Sequence, residues 1–559
     1  MFNKIKLKFG PKGNVDPLEI EPGSVTVFVG PNNSGKSLLL RELDKFCDSG
    51  KQDSFLILED VELNIADDFV RDTVESCKYE PTLNDKLQPG QVKYGKVNST
   101  KGQRSFQLKV SDLVSWKNSP GNIQHFCNHF LLMFAARFGG KERFSLVDDK
   151  ANGDLKNRPN SNLLALFQDD TKRQEVRDLL FEAFGKYFVI DPTDMKNLKI
   201  RFSDTAPPST DIERGWSQES VDFHKQAKHI SEFSDGVQAF TGLVMAIIVG
   251  DEKFIFLDEP EAFLHPSLSN VLGRKLSDIM SHREGHLLVS THSPSFIMGC
   301  IQSGKRVNIV RLTYDGRGNS TARILSSSKL SELFKEPLLR STGTIEALFF
   351  TNVIVTESDT DRALYNEINQ RLLHHGDPRG VPNCLFINAQ NKQTIWKIIK
   401  PLRELGIPSA AIVDIDFIKD GGNEHTKALK AAHVPETLRE SFGTLRGTVK
   451  RQFEATGSDM KRDGGINLLS GAERESFLKF VNDFQEYGVF IVKNGELESW
   501  LNELHNEGHG PSWLIPIFEK LGSDPSDKEN YIEPSEGDVW DFFRDIKTWL
   551  TDPNKKGID

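Results

Sequence analysis

Cysteine is scarce and unpaired in this sequence. Its five cysteines (Cys47, Cys77, Cys127, Cys300 and Cys384) are scattered and form no C-x-x-C pair. That argues against a disulfide framework or a zinc site and leads to the expectation of reduced thiols in a cytoplasmic protein. Long apolar runs are missing as well. No stretch of about 18 uncharged apolar residues occurs, so no membrane span is expected. The opening residues, Met1-Phe2-Asn3-Lys4-Ile5-Lys6-Leu7-Lys8, alternate like a strand and lack the apolar core of a secretion signal. Positive charge is not in excess either: the net charge is −10, which argues against a surface coated in nucleic acid while leaving room for local basic grooves. What the chain does have is length. Its 559 residues exceed a single core, which stops growing at roughly 250–300 residues, so more than one domain is expected.

Gly30-Pro31-Asn32-Asn33-Ser34-Gly35-Lys36-Ser37 fits G-x-x-x-x-G-K-[ST] without a mismatch. Ser24-Val25-Thr26-Val27-Phe28-Val29 before it reads as a strand, and Leu38-Leu39-Leu40-Arg41-Glu42-Leu43 after it as a helix. Backbone N–H groups of such a loop, together with the helix N-terminus, form an anion site for phosphates. Gly30, Asn32, Asn33, Ser34 and Gly35 are therefore candidate ATP-binding residues, with Lys36 at the β- and γ-phosphates and the Ser37 hydroxyl on Mg²⁺. Downstream, Phe254-Ile255-Phe256-Leu257-Asp258-Glu259-Pro260 is a continuous apolar run ending in two carboxylates, as suits a strand buried on both faces. Phe233-Ser234-Asp235-Gly236-Val237-Gln238 precedes it and opens a helix-like segment. His286-Leu287-Leu288-Val289-Ser290-Thr291-His292 follows as another buried strand with a histidine at its end.

In this order the motifs resemble an ABC-type ATPase. The resemblance implies that Asp258 holds Mg²⁺, Glu259 polarises the attacking water and His292 senses the γ-phosphate. Ser234, Gly236 and Gln238 match the S-x-G-x-Q signature of soluble members, which binds a nucleotide held by the opposite subunit, so a homodimer or higher oligomer is implied. Glu261-Ala262-Phe263-Leu264-His265-Pro266 resembles the segment after Walker B in the same proteins. Gln88, Gln91 and Gln103 all remain open as the Q-loop glutamine. Residues from about 105 to 230 read as a helical insertion and candidate dimerisation region, with His129-Phe130-Leu131-Leu132-Met133-Phe134-Ala135-Ala136-Arg137-Phe138 helix-like. Val307-Asn308-Ile309-Val310-Arg311-Leu312 and the turn Asp315-Gly316-Arg317-Gly318 predict a closing hairpin. Ser326-Ser327-Ser328 marks the approach to a boundary near residue 345, giving domains 1–345 and 346–559.

In the second domain Thr351-Asn352-Val353-Ile354-Val355-Thr356-Glu357 reads as a strand ending in a carboxylate, and a helix follows from Asp359-Thr360-Asp361. Cys384-Leu385-Phe386-Ile387-Asn388 is a second strand, with a helix from about Gln393 that Pro401 ends or kinks. Ser409-Ala410-Ala411-Ile412-Val413-Asp414-Ile415-Asp416 is a third. Strand–helix alternation implies a parallel sheet whose C-terminal edge gathers Glu357, Asp361, Asp414 and Asp416. In an extended chain Asp414 and Asp416 share a face. Converging carboxylates repel unless a cation is present, so Mg²⁺ or Mn²⁺ is expected.

A strand-ending glutamate followed by a later D-x-D resembles the Toprim domain, with Glu357-Ser358 standing where the commoner pattern has E-G. Val489-Phe490-Ile491-Val492-Lys493-Asn494-Gly495-Glu496-Leu497-Glu498 is similar to the late strand that supplies a lysine and an L-E pair in OLD (overcoming lysogenization defect) family nucleases. That family joins an ABC ATPase to a Toprim domain. The resemblance implies an α/β chain of that architecture: an ATP-regulated nuclease acting on DNA, with Glu357, Asp361, Asp414, Asp416 and Glu498 as metal ligands and Lys493 steadying developing charge. It also implies a setting in phage defence, sometimes beside a reverse transcriptase and its small DNA in retrons. The competing reading is an ABC-type sensor or DNA-repair ATPase whose inactive Toprim half recruits partners. Lys461-Arg462-Asp463-Gly464-Gly465 reads as a solvated loop.

Overall fold

Val25–Val29, His286–Ser290 and Phe254–Asp258 lie side by side as parallel strands, almost wholly buried. They are the centre of a six-stranded sheet in the computed structural model of the chain. Described are residues 1–80, 86–156, 158–325, 343–504 and 506–558. The chain divides into two α/β units, Met1–Leu330 and Ser331–Asp559. The Ser326-Ser327-Ser328 run lies outside the described residues.

Alternate residues of the central strands bury on opposite faces, which explains the unbroken apolar runs. Phe28, Phe254, Phe256 and Leu288 pack with Leu39, Leu40, Leu43 and Phe46 of the helix Lys36–Ser49. Val27, Val29, Ile255, Leu257 and Val289 are buried too. On one side the sheet is extended by Val307–Tyr314, parallel to Val25–Val29, and then by antiparallel Ser320–Leu325, so the closing hairpin forms at an edge. Asp315 accepts from the backbone N–H of Arg317 and Asn319 across its turn.

The segment between about 105 and 230 is mixed rather than helical. The helix Ile123–His129 gives way to a 3₁₀ turn, Leu131–Phe134, and then to Ala135–Phe138, which joins the central sheet beside Phe254–Asp258. A short apolar run carries no period that separates strand from helix, and the free edge of the neighbouring strand decided the outcome. Further on, Asn197–Ser203 pairs antiparallel with Tyr187–Asp191, Lys150–Ala151 and Lys228–His229.

In the second unit four parallel strands run in the order Cys384–Asn388, Asn352–Thr356, Ser409–Val413, Val489–Ile491. Pro401 lies inside the helix Lys392–Glu404 without ending it. The third strand stops at Val413, and Ile415–Lys419 is a 3₁₀ turn, so Asp414 and Asp416 do not sit on an extended chain. Three helices, Gly422–Ala431, Glu436–Thr456 and Gly471–Gln485, precede the last strand. Buried Arg403 fastens the sheet, donating to the carbonyls of Ser409, Tyr487, Gly488 and Gly557.

The helices Pro266–Ser281 and Pro294–Gln302 meet at two glycines. A Cβ at Gly299 would stand 2.0 Å from the Asn270 carbonyl oxygen, and one at Gly273 would stand 2.3 Å from that of Phe296. Gly299→Ala is therefore expected to destabilise the first unit by roughly 2 kcal/mol. Thermal melting checks this, and a midpoint within about 1 °C of the parent would contradict it.

Candidate functional site

Parallel strands end on one edge, and here that edge carries chemistry. Val25–Val29 leads into residues 30–37, His286–Ser290 into His292, and Phe254–Asp258 into Glu259. Gly30 has φ +140° and a Cβ there would meet the Leu312 carbonyl oxygen at 2.0 Å, so the tight turn requires glycine. Asn32 and Asn33 are exposed, Asn33 with φ 62°. Gly35, at φ 92°, is the N-cap of the helix Lys36–Ser49. No side chain caps that terminus and its first turn holds no acidic residue, so its backbone N–H groups fit a phosphate. The buried Lys36 ammonium donates to the carbonyls of Gly30 and Pro31 (2.9 Å each) and to the Ser34 hydroxyl (3.3 Å). Burial lowers its pKa to about 8, while Glu259, Asp258 and Glu261 act to raise it.

Ser37 Oγ donates to Asp258 Oδ1 at 2.8 Å and Ser290 Oγ to the same oxygen at 2.5 Å. A hydroxyl and a carboxylate in contact beside the phosphate loop fit a hard divalent cation. Glu259 is exposed, has φ 48°, and places Oε1 3.9 Å from His292 Nε2. Burial lowers the His292 pKa, and the Lys36 charge lowers it further. Glu261 anchors the His292 turn by accepting from the Thr291 hydroxyl (2.8 Å) and the His292 N–H (2.6 Å). Ser234 starts the helix Asp235–Val249, and Gln238 Nε2 donates to the Phe233 carbonyl at 2.8 Å. Among the described residues no hydrogen bond joins Ser234, Gly236 or Gln238 to residues 30–37. Instead Gly236 lies against the Phe263 carbonyl, where a Cβ would come within 2.5 Å. Gln88 and Gln91 bond to each other, and Gln103 sits in the strand Gly102–Leu108, which pairs with Val92–Asn98.

The second unit repeats the arrangement with more negative charge. Glu357 follows the strand Asn352–Thr356, Asp414 follows Ser409–Val413 and Asp416 lies one turn on. Ligand oxygens of these three lie within 4.8 Å of one another. Glu357 also accepts from the Asp414 N–H at 3.2 Å. Burial raises the pKa of both Glu357 and Asp414, and neighbouring carboxylates push in the same direction. Oxygen donors that repel one another in a half-buried site fit a divalent ion. Asp361 sits at the start of the helix Asp359–His374 in a capping box, accepting from the Ser358 N–H and hydroxyl, and burial raises its pKa. Glu498 belongs to a second group with Glu496 and His509, also within 4.8 Å.

Lys461 bridges the two groups, its Nζ 2.8 Å from Asp414 and 3.2 Å from Glu496. Burial opposes its charge, but Asp414 and its neighbours outweigh that and raise the pKa. Lys392 pairs similarly with Asp416 (3.1 Å) and Asp420 (3.3 Å). Lys493, the lysine expected here, makes no ion pair with these carboxylates among the described residues. Its carbonyl accepts from Ile466 N–H. Lys461-Arg462-Asp463-Gly464-Gly465 is a solvated loop only in part, exposed at Arg462 and Asp463. A Cβ at Gly495 would lie 2.2 Å from the Lys461 carbonyl oxygen and one at Gly465 2.4 Å from that of Lys493, so glycines let the two segments touch and carry Lys461 into the site.

Sequence reasoning missed Lys461, Lys392, Glu496 and His509. Lys392 had one usable signal, since it follows the helix-capping Asn391. A cavity of about 520 Å³ opens beside Glu496, Glu498 and His509, lined also by Lys461, Arg462 and Asn494.

Residues 122–298 match the AAA_21 family, an AAA domain described with the AbiEii toxin of a Type IV TA system. Residues 348–416 match the OLD-like TOPRIM family, the overcoming lysogenization defect protein-like TOPRIM domain. The chain thus joins an AAA_21 ATPase domain to an OLD-like TOPRIM domain. The Old nuclease of Escherichia phage P2 is 24% identical over 300 residues, 49% of this chain and 49% of that protein, so the match spans about half of its length. The OLD nuclease of Thermus scotoductus is 22% identical across 93% of this chain and 96% of its own. Among solved structures, the SMC head domain from Thermotoga maritima aligns with 58% of this chain and 99% of its own at 14% identity and a TM-score of 0.30.

Glu357 and Asp414 hold protons more tightly in the folded Toprim unit than in an unfolded chain, because burial raises their pKa values. Above the ordinary carboxylate range the folded state therefore binds more protons than the unfolded chain, and their contribution to stability falls as pH rises. In chelator, the stability of Asp414→Asn relative to the parent should increase between about pH 5 and about pH 8. Paired thermal melts measure it. A difference that stays flat or shrinks would contradict the arrangement.

Proposed function

We propose that the chain is an ATP-binding and ATP-hydrolysing protein whose Toprim unit is a divalent-metal-dependent DNA endonuclease. The observation that carries the nuclease reading is the convergence of Glu357, Asp414 and Asp416 at the strand ends of a parallel sheet, their ligand oxygens within 4.8 Å. Mg²⁺ or Mn²⁺ suits an all-carboxylate donor set. A metal held by Glu357, Asp414 and Asp416 would supply an activated water and neutralise charge on the scissile phosphate. Asp361 and Glu498 are the remaining proposed ligands, Asp361 oriented by Ser358 and Glu498 by Gly510 N–H (2.7 Å). Lys461 takes the charge-steadying role expected of Lys493, because it already reaches Asp414.

In the ATPase unit, Lys36 and the N-terminus of its helix hold the phosphates, and Ser37 with Asp258 holds Mg²⁺. Glu259 orients the attacking water and His292 stands beside it. Ser234, Gly236 and Gln238 act on the nucleotide of a neighbouring copy, which makes a homodimer the working unit. Phage defence is the proposed setting, as the resemblance to the OLD family implies.

Plasmid nicking with Mg²⁺ tests the nuclease. Asp414→Ala and Asp416→Ala should abolish cleavage, with ATP hydrolysis within about twofold of the parent, because each unit has its own core. Parental cleavage by either variant would instead favour a sensor with an inactive Toprim unit, and a covalent protein–DNA adduct would overturn hydrolysis by water.

The ATPase has its own test. Lys36→Ala should lose nucleotide affinity, whereas Glu259→Gln should bind ATP and turn it over roughly 100-fold more slowly. Unchanged turnover in Glu259→Gln would remove the assignment.

A further inference from the structure

Arg143 is an almost fully buried cation, 1% exposed, in the short helix Glu142–Ser145. It belongs to no motif and, among the described residues, makes no ion pair with a carboxylate. Its guanidinium is spent on backbone carbonyls of the turn that carries Glu259. One terminal nitrogen donates to the Asp258 carbonyl at 2.6 Å and to that of Glu259 at 2.7 Å. The other donates to Pro260 at 3.2 Å, and Nε donates to Gly139 at 3.0 Å. Three successive carbonyls are thus gripped by one rigid fork. The gripped turn is unusual, since Glu259 is a non-glycine residue at φ 48°, a conformation that costs energy and persists only where the surroundings enforce it. Burial lowers the Arg143 pKa, and Glu261, Asp258 and Glu259 act to keep the guanidinium charged.

The other side of Arg143 faces the signature helix. Gly242, in Asp235–Val249, packs on the Arg143 backbone so closely that a Cβ would lie 2.7 Å from its carbonyl oxygen. Next to Arg143, the Phe144 ring meets Phe263, whose own carbonyl lies against Gly236. One residue therefore touches both the element that opens with Ser234 and the turn that aims Glu259.

We propose that Arg143 is a positioning residue for ATP hydrolysis. Its guanidinium holds Glu259 in the left-handed conformation that aims the carboxylate, and its backbone transmits movement of the signature helix to that turn. The inference rests on Glu259 acting in hydrolysis, as proposed above. Lysine keeps the charge but cannot span three carbonyls as a planar fork does.

The test uses the full chain with a fluorescent ATP analogue for affinity and single-turnover hydrolysis followed over hours. Arg143→Lys should remain folded, with a two-state melt, and hold affinity within about threefold, yet hydrolyse roughly 30- to 100-fold more slowly, the cost of misplacing a reacting group by an ångström. Gly242→Ala, which pushes on the Arg143 carbonyl, should slow hydrolysis in the same direction at retained affinity. In a Glu259→Gln background, Arg143→Lys should have no further effect, because a residue acting through another adds nothing once that other is gone.

Undiminished hydrolysis by Arg143→Lys would overturn the proposal. So would a loss that persists in full in the Glu259→Gln background, which marks a general structural role. Parental hydrolysis by Glu259→Gln alone would instead overturn the ATPase assignment on which the inference stands.

Discussion

Carboxylates packed together away from water repel one another and lose hydration, so a site that collects them must also supply positive charge. Both units are arranged around that requirement. In the ATPase domain burial lowers the pKa of Lys36, and Glu259, Asp258 and Glu261 act against that. In the Toprim domain Glu357, Asp414 and Asp416 are set against Lys461 and Lys392. Asp258, Glu357 and Asp414 are placed at strand ends, where a parallel sheet turns its backbone into a loop and a short displacement brings neighbours together.

The turns that hold these groups are built from close backbone approach. Gly30 and Gly35 allow the phosphate loop to fold back on its own lysine. Gly465 and Gly495 let two distant segments of the Toprim unit touch, and that contact is why Lys461 reaches Asp414. Glu259 obtains the same kind of conformation without glycine, through three carbonyl hydrogen bonds from Arg143. Backbone geometry here is thus controlled by the absence of a Cβ in some places and by a buried cation in another.

Much of the architecture could be read from residue order alone. The phosphate loop, the strand ending in Asp258 and Glu259, and the strand leading to His292 announce themselves, because a parallel strand buried on both faces must be continuously apolar and must stop where the chemistry starts. The strands leading to Glu357 and Asp414 follow the same rule. The strand Ala135–Phe138 escaped it, since the short run Ala135-Ala136-Arg137-Phe138 fits a helix as well and only the open edge beside Phe254–Asp258 decided the matter.

Sequence by itself determined the α/β class, the loop that follows Val25–Val29 and the strands that end in carboxylates, because these depend on local pattern and on spacing along one chain. Tertiary structure alone decided which cations meet those acids. Arg143 lies 115 residues from the carbonyl it grips at Asp258, and the Lys461 segment is bound to 493–495 by interlocking backbone contacts rather than by any motif. A long flexible cation leaves little trace in local periodicity, and its partner is chosen by whichever carboxylate or carbonyl the packed core delivers to it.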